Sequence, residues 1–281
     1  LETNEPNALL LERARYRLGE GGWSEPSYLP DIQDALRGIA FGTPFELSFS
    51  FRLEQLPKEL VFLVLETAED FRVTVNGNEV SSAPSGWWLD PAFRRLEVGP
   101  LLDVGDNEVR LRSNHSQRTA LENLYLVGAF GVRCRRLERE GAFAGQRFDR
   151  YETDCAVGPM PTMLEPSPAG LRYDLTQGGF PFFAGRVRLA QTFTLEAAAE
   201  GWLELREPCA ALVHVWVNGC LAATFAWPPY RAEVGAYLQK GANRLELELI
   251  STLRNLLGPH HLSGGDGVWT GPQQFRDHRR W

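Results

Sequence analysis

Lysine is almost absent from this chain. Lys58 and Lys240 are the only two lysines, so nearly all of the 29 basic residues are arginines, a bias that we attribute to genome composition. The arginines are interspersed with acidic residues, and the formal net charge is −7. A protein that binds nucleic acid needs a basic patch or stripe. The charge pattern therefore predicts no nucleic-acid partner.

Long apolar runs are also missing. None of them approaches the roughly 20 residues that a helix needs to cross a bilayer, so no membrane partner is predicted. The segment 1–6 contains neither the charged region nor the apolar region of a secretory signal peptide, and it lacks an initiating methionine. We therefore expect the chain to be a fragment of a longer polypeptide.

Several motifs of catalysis and cofactor binding are missing as well. The chain has no C-x-x-C pair among its 4 cysteines, no G-x-S-x-G elbow, no G-x-G-x-x-G after a strand and no Asp-rich loop with calcium-ligand spacing. These absences argue against a zinc cluster, a serine nucleophile, a bound nucleotide and a calcium ion. The sequence therefore predicts no cofactor and no metal. Cys209 and Cys220 flank one predicted strand, where they either form a disulfide or act as small buried hydrophobes.

What the chain does contain is one phrase used twice. Val-Asn-Gly is followed by Glu-Val-Gly-x-x-Leu-x-x-Gly-x-Asn, at 75–77 and 97–107 in the first copy and at 217–219 and 233–243 in the second. The spacing within the longer part is the same in both copies, whereas the interval between the two parts differs. Self-similarity of this kind indicates one module used twice, with a loop that changes in length.

The short strands and turns of both copies predict an all-β fold. Apolar and polar residues alternate in short segments such as 45–53 and 60–66, and segments of this kind separated by turn residues are typical of a β-sandwich. Asn-Gly is the preferred centre of a type I′ hairpin turn, because both positions need a positive φ. The stretch 30–39 predicts a short helix, with a proline in its first turn and three apolar residues on one face.

The predicted organisation is two jelly-roll β-sandwiches in tandem. In chain order we expect an N-terminal strand and short helix over 1–40, a first sandwich over 41–135, a linker rich in charge, Gly and Pro over 136–170, a second sandwich over 171–262 and a tail over 263–281. A length of 281 residues is enough for two domains that each bury a sizeable core.

The two turns resemble those of the galactose-binding-like jelly roll, in particular the sugar-binding sandwich of glycoside hydrolase family 2. Longer phrases are similar to the C-terminal region of large bacterial glycosidases of the family 106 rhamnosidase type. These phrases are Asn-Ala-Leu-Leu-Leu at 7–11 with Tyr16 and Trp23, and the segments 121–130, 179–185 and 252–261. The resemblance implies a non-catalytic accessory region of a carbohydrate-active enzyme, whose partner is the catalytic domain of the same polypeptide.

Aromatic residues are the best candidates for contact with a carbohydrate ligand, because sugars present apolar C–H faces that stack on Trp and Tyr. Trp87 and Trp88 are neighbours, so in a strand one points to the core and the other outward. Core or interdomain packing is the alternative for all of these aromatic residues. For the two histidines, hydrogen bonding that fixes a loop, or contact with the catalytic domain, is favoured over metal ligation. The candidate carbohydrate-binding residues are Trp87, Trp88, Asp90, Trp227, Tyr230, Arg254, Asn255, His260 and His261.

Two other functions stay open at this point. In the first, the chain itself hydrolyses glycosides in a cleft between the sandwiches, which requires two carboxyl groups roughly 5–10 Å apart. In the second, the chain is a protein–protein interaction module whose exposed aromatic side chains meet another chain. Because the repeated residues are turn formers, we expect any ligand site in the parts that differ between the copies, namely 82–95, 227–230 and 254–261.

Overall fold

The computed structural model describes residues 1–143, 146–165, 173–197, 200–206 and 208–258. Strands dominate it, which confirms the all-β prediction. The strands of the first half are β1 (Glu2–Thr3), β2 (Asn7–Leu11), β3 (Arg13–Leu18), β4 (Ser27–Tyr28), β5 (Pro44–Leu53), β6 (Val61–Leu65), β7 (Arg72–Val75), β8 (Asn78–Glu79), β9 (Trp87–Trp88), β10 (Asp90–Glu97), β11 (Gly105–Asn114), β12 (Leu124–Gly128), β13 (Gly131–Phe143) and β14 (Gln146–Gly158). The strands of the second half are β15 (Arg186–Leu195), β16 (Trp202–Glu204), β17 (Leu212–Val217), β18 (Cys220–Phe225), β19 (Arg231–Glu233) and β20 (Gly241–Ile250).

Helical structure is short. The helix α1 spans Leu29–Arg37, as the sequence predicts, and 3-10 turns span Ala68–Asp70, Gly99–Leu101, Gly235–Tyr237 and Leu253–Leu257. The apolar face of α1 is buried through Leu29, Ile32 and Leu36, which places this helix against the core of the first sandwich. Within the described residues, no helix has the length and apolar composition of a membrane span.

The first sandwich is made of two sheets. The front sheet has the strand order β2-β12-β6-β10-β9, and the back sheet has the order β13-β14-β5-β11-β7-β8, with β3 also paired to β5. Period-2 alternation in β5 builds the core between them, because every second side chain points inward. The inward residues of β5 are Phe45, Leu47, Phe49, Phe51 and Leu53, and all of them are buried.

The second sandwich is smaller. A five-stranded sheet of order β1-β15-β20-β17-β18 packs against the two-stranded sheet of β16 and β19. The N-terminal strand β1 pairs antiparallel with β15, so the start of the chain belongs to the main sheet of the second sandwich. The buried core consists of Val213, Val215, Val217, Phe225 and Val234, with Leu203 and Ala232 from the two-stranded sheet packed against it.

The repeated phrase forms the same turn twice. Asn76 and Gly77 have φ of 49° and 81°, and Asn218 and Gly219 have φ of 51° and 81°. Both central residues of each turn therefore lie in the left-handed region, as a type I′ hairpin requires. This part of the sequence prediction is confirmed.

An asparagine pair closes each of these turns, a feature that the turn interpretation did not include. Asn76 Nδ2 donates to Asn107 Oδ1 over 2.8 Å, and Asn218 Nδ2 donates to Asn243 Oδ1 over 2.9 Å. Asn107 and Asn243 are buried, and each side chain also bonds three backbone groups of the turn that precedes it, in the same way in both copies. The shared phrase thus encodes a hydrogen-bonded lock as well as a chain reversal.

The predicted linker 136–170 is partly a hairpin. The strands β13 and β14 pair along their whole length, and β14 also pairs parallel with β5, where Val157 lies opposite Leu53. Cys134 and Cys155 lie opposite each other in this hairpin and form a disulfide, whereas Cys209 and Cys220 are exposed and unbridged. Sequence reading missed these strands because charged residues dominate the segment and hide the period-2 pattern.

A seam joins the second sandwich to the outer face of the front sheet. Every residue of β2 and of β12 is buried, so both faces of these strands are covered. On the outer face the Tyr125 hydroxyl donates to the Leu256 carbonyl over 3.3 Å. The Gly258 backbone packs closely on the same face, because a Cβ atom added to this glycine would lie 3.2 Å from Leu10 Cδ2 and 3.1 Å from Phe182. We define the seam as residues 7–11, 124–130, 179–185 and 252–258.

Asn7 is the polar anchor of the seam. This side chain is fully buried, and its Nδ2 donates to the carbonyls of Phe130 over 2.9 Å and of Gly179 over 2.8 Å. Its Oδ1 accepts from the Ala8 amide over 2.9 Å. Residues of the four longer phrases singled out in the sequence therefore meet one another here, where they pack the two sandwiches together.

Candidate functional site

The predicted site residues of the first copy lie at the edge of the front sheet. Trp87 in β9 is 51% exposed, whereas its neighbour Trp88 is 4% exposed and packs edge-on against Tyr125 with ring centroids 5.4 Å apart. One Trp outward and one inward is the arrangement that strand alternation predicts. Asp90 is exposed, and its carboxylate accepts from the Ala92 amide over 2.8 Å. Trp87 and Asp90 are therefore open to a ligand, and Trp88 supports them from the core.

Two further carboxylates accompany Asp90 at this end of the sheet. Burial raises the pKa of Glu66, and the negative charges of Glu122 and Asp90 raise it further. Glu66 directly follows β6, Glu122 precedes β12 and Asp90 begins β10, and both strands pair antiparallel with β6. Antiparallel pairing brings the end of one strand beside the start of its neighbour, which is why these residues, distant in sequence, share one place.

The pKa of Tyr125 reports the same acidic surroundings. Burial raises this pKa to about 12, with added contributions from the charges of Glu122 and Glu12. The Tyr125 ring contacts the rings of Trp88 and Phe93, and its hydroxyl donates to the Leu256 carbonyl. Within the described residues, no group of His, Cys, Asp and Glu is arranged to hold a metal ion. The acidic end of the front sheet is thus suited to accept hydrogen bonds from a ligand.

The 227–230 stretch lies in the second sandwich. Trp227 is 76% exposed, whereas Tyr230 is partly buried and packs edge-on against Phe225 at 6.3 Å between ring centroids. Sequence reasoning did not single out Trp202, which is also exposed and lies under the guanidinium of Arg231 at 4.5 Å from the ring centroid. The alternation of β16 was the available signal, but this strand is only three residues long.

The 254–261 stretch belongs largely to the seam. Arg254 donates a guanidinium hydrogen bond to the Gly258 carbonyl over 2.9 Å, and the Asn255 carbonyl accepts from the Gly258 amide over 2.9 Å. Both residues therefore fix the loop that covers Tyr125. His260 and His261 lie outside the described residues. Tyr125 thus contacts both Trp88 of the 87–90 residues and Leu256 of the loop that contains Arg254 and Asn255, while Trp227 and Tyr230 lie in the second sandwich.

Comparisons with known proteins give the following results. No family model and no curated protein matches the chain. Among solved structures, a rhamnosidase from Novosphingobium sp. PP1Y matches with 18% identity and a TM-score of 0.26, over 80% of this chain and 22% of that one. An α-L-rhamnosidase from Streptomyces avermitilis matches with 13% identity and a TM-score of 0.30, over 75% of this chain and 22% of that one. A β-D-mannosidase from Dictyoglomus thermophilum matches with 9% identity and a TM-score of 0.34, over 87% of this chain and 31% of that one.

Each of these neighbours is a glycosidase by name. The chain spans between 22% and 31% of their lengths, so each comparison concerns only a part of a much longer protein.

Proposed function

We propose that this chain is a non-catalytic accessory region of a glycoside hydrolase, which supports the catalytic domain of the same polypeptide and binds glycan at the front-sheet edge. The observation that carries the glycan-binding part is Trp87, a half-exposed indole three residues before the exposed Asp90, whose charge in turn acts on Glu66 together with that of Glu122. An indole offers a flat surface for the C–H face of a sugar, and carboxylates accept hydrogen bonds from its hydroxyl groups.

The seam supports the scaffolding part of the proposal. Asn7, Tyr125 and Leu256 tie the two sandwiches together through buried hydrogen bonds. Because these bonds are buried, the two sandwiches pack directly against each other and are not joined by a linker alone. The sequence resemblance to the C-terminal region of family 106 glycosidases points to the same role.

Calorimetric titration of the chain with rhamnose-, galactose- and mannose-containing oligosaccharides tests the glycan-binding part. We expect binding with a Kd of about 1 mM, and a weakening of about tenfold in Trp87→Ala, because the stacking surface is removed. The matched control is Trp227→Ala, which removes a more exposed indole, 76% against 51%, from the second sandwich. Equal affinity of Trp87→Ala and the wild type, or no heat of binding with any sugar, would contradict this part.

The scaffolding part is tested on the full-length polypeptide. We expect the catalytic domain to lose yield and thermal stability when residues 1–281 are deleted, because the surface that packs on this region becomes exposed. Unchanged yield and unfolding temperature after the deletion would contradict a scaffolding role and leave glycan binding to be judged by calorimetry alone.

Glycoside hydrolysis by the chain itself is a second candidate, and one observation favours it. A carboxyl group with a raised pKa beside ionised carboxylates is the arrangement that glycosidases use for their general acid, and Glu66 has it. Release of nitrophenol from aryl glycosides by the chain, lost in Glu66→Gln, would support this function. Absence of turnover in the wild type would reject it.

A further inference from the structure

A second concave surface lies between the end of α1 and the loop that joins β11 to β12, and it shares only Glu122 with the carboxylates described at the front-sheet edge. Its volume is about 680 Å³, within the roughly 300–1,000 Å³ that is typical of small-molecule sites. The lining that matters for recognition is Arg37, Phe41, His115, Ser116, Gln117 and Glu122. We call this surface the His115 cleft.

The loop that forms one wall of the cleft is held in place by hydrogen bonds. The Gln33 side chain donates to the Thr119 carbonyl over 3.3 Å and accepts from the Leu121 amide over 2.8 Å. The His115 carbonyl accepts from the Gly42 amide over 2.7 Å, and the His115 amide donates to the Thr43 carbonyl over 2.8 Å. A wall fixed in this way loses little conformational freedom when a ligand binds, which favours affinity.

His115 leaves a hydrogen-bonding atom unused in this wall. The residue is 6% exposed, and its Nδ1 is buried without a hydrogen-bond partner among the described residues. Buried polar atoms are nearly always paired, and an unpaired one costs free energy. Because the same imidazole lines the cleft, we expect a ligand hydroxyl group to be the partner that this atom lacks.

Phe41 supplies an apolar surface beside this imidazole. It is 69% exposed, and its ring lies 5.1 Å from the His115 ring, centroid to centroid. An exposed phenyl ring at the mouth of a cleft costs hydration free energy that a flat apolar ligand face would recover. The cleft therefore combines an exposed aromatic ring with polar side chains.

The charges at the rim decide which ligands fit. Arg37 is already paired with the Asp34 carboxylate over 2.6 Å, and Glu122 adds a negative charge, so the rim does not favour an anion. Ser116 and Gln117 can both donate and accept hydrogen bonds. A neutral ring with one apolar face and several hydroxyl groups satisfies all of these groups together. We propose that the His115 cleft binds one neutral pyranose residue, with its C–H face on Phe41 and a hydroxyl group at His115.

This inference does not rest on the Trp87 site, since the ligand class follows from the lining of the cleft itself. The test is NMR of the whole chain, with methyl α-L-rhamnopyranoside and methyl β-D-galactopyranoside as probes up to about 50 mM, because a lone sugar ring binds in the millimolar range. We expect saturable shifts of the His115 and Phe41 ring signals with at least one probe. D-glucuronate, which is anionic, is the class control and should bind more weakly.

Two variants locate the effect. Phe41→Ala, at an exposed position, should weaken the titration of the His115 signals by about tenfold, and His115→Phe should abolish the titration of the Phe41 signals. Trp202→Ala, at an exposed position in the second sandwich, is the matched control and should leave both titrations unchanged. Titration that survives Phe41→Ala and His115→Phe, or tighter binding of glucuronate, would overturn the inference.

The outcome also separates this inference from the proposed function. If the Trp87 signals titrate and those of the cleft do not, the cleft is rejected and glycan binding at Trp87 stands. If only the cleft signals titrate, the cleft stands and the Trp87 site is rejected. If neither set titrates, both are rejected.

Discussion

The two sandwiches use the same turn but build very different cores around it. Asn76 with Asn107 and Asn218 with Asn243 make the same hydrogen bonds over nearly the same distances. In the first sandwich the front sheet is buried on both faces at β2 and β12. In the second, the main sheet has partly exposed residues through most of β20 and faces only two short strands. Local turn chemistry is therefore conserved between copies that differ in burial.

This difference indicates what the second sandwich depends on. A small core buries little apolar surface, so its contribution to folding is limited. The seam adds Phe182, Leu256 and the buried Asn7 bonds to that contribution. We infer that the second sandwich is stable because it is docked, whereas the first is stable by its own core.

The largest effect is expected from breaking the anchor of the seam. Asn7→Ala leaves the carbonyls of Phe130 and Gly179 short of a buried donor, so the free energy of unfolding should fall by about 3 kcal/mol. Urea denaturation should then show two transitions, with the second sandwich unfolding first. Asn4→Ala is the control, because Asn4 accepts one bond from the Arg186 amide at an exposed position. A single transition with an unchanged midpoint in Asn7→Ala would contradict the docking argument.

Alkaline pH should loosen the seam through Tyr125. Its folded-state pKa of about 12 lies above the unfolded value of 10.0, so the folded state holds the proton more tightly. The stabilisation is complete below pH 10.0 and declines by about 1.4 kcal/mol per pH unit as the pH rises towards 12. The chain has only two lysines but seven tyrosines, so a Tyr125 variant is needed to assign the change.

The measurement for Tyr125 is the unfolding midpoint in urea as a function of pH. Tyr125→Phe should remove most of the alkaline dependence, at a cost of about 1 kcal/mol at neutral pH for the lost bond to Leu256. Tyr173→Phe, at an exposed position, should leave the dependence as it is. A wild-type curve that stays flat between pH 10 and pH 12 would contradict the burial argument.

The asparagine locks test whether the two turns are equivalent. Asn107→Ala and Asn243→Ala each remove a buried amide that bonds three backbone groups, so each should lower the stability of its own sandwich by about 2 kcal/mol. Hydrogen exchange at the amides of β11 and β20 measures the two effects separately. Asn78→Ala, on the exposed side of the first turn, should change little. A large loss of stability in one copy only would show that the contribution of the asparagine depends on the burial around the turn and not on its hydrogen bonds alone.

The smallest effect concerns the charged outer faces of the two main sheets. Burial opposes ionisation of Glu46, but the hydrogen bonds and charges of Arg17 and Arg112 outweigh it and lower the pKa below 4.5. The ionised group therefore stabilises the fold above its unfolded pKa, and this contribution is lost as the pH falls through the folded pKa. Glu46→Gln should cost about 1 kcal/mol at pH 7 and less in acid.

Glu248 of the second sandwich is the matched comparison for Glu46. It pairs with one arginine, Arg188, over 3.2 Å, whereas Glu46 pairs with two. Glu248→Gln should therefore cost less than about 0.5 kcal/mol at the same pH. Equal costs for the two variants would show that the second arginine of the Glu46 group adds nothing measurable.

Prediction from the sequence succeeded where the signal was local. The Asn-Gly turns, the strand near 45–53 and the helix near 30–39 all depend on neighbouring residues, and all are confirmed. The Trp87 and Trp88 pair was predicted to split between core and surface, but the sequence did not say which one faces out. That choice depends on Tyr125, a residue of another strand.

The candidate site was harder to predict. Glu66 and Glu122 are not close in sequence, and nothing in their immediate surroundings marks them among 36 acidic residues. The pairing of β6 with β12 brings them together, and burial separates Glu66 from ordinary surface carboxylates. Arg254 and Asn255, in contrast, attracted attention as polar residues and turned out to hold a loop of the seam.

By itself the sequence determined the class of fold, the duplication and the geometry of its turns, because positive φ and period-2 alternation are properties of short segments. Only the tertiary structure decided the rest. The seam, the partner of Cys134, the asparagine locks and the group of Glu66, Asp90 and Glu122 all join residues far apart in the chain. Such contacts form only when the strands pair, and the pairing depends on the burial of apolar surface throughout the fold rather than in any one segment.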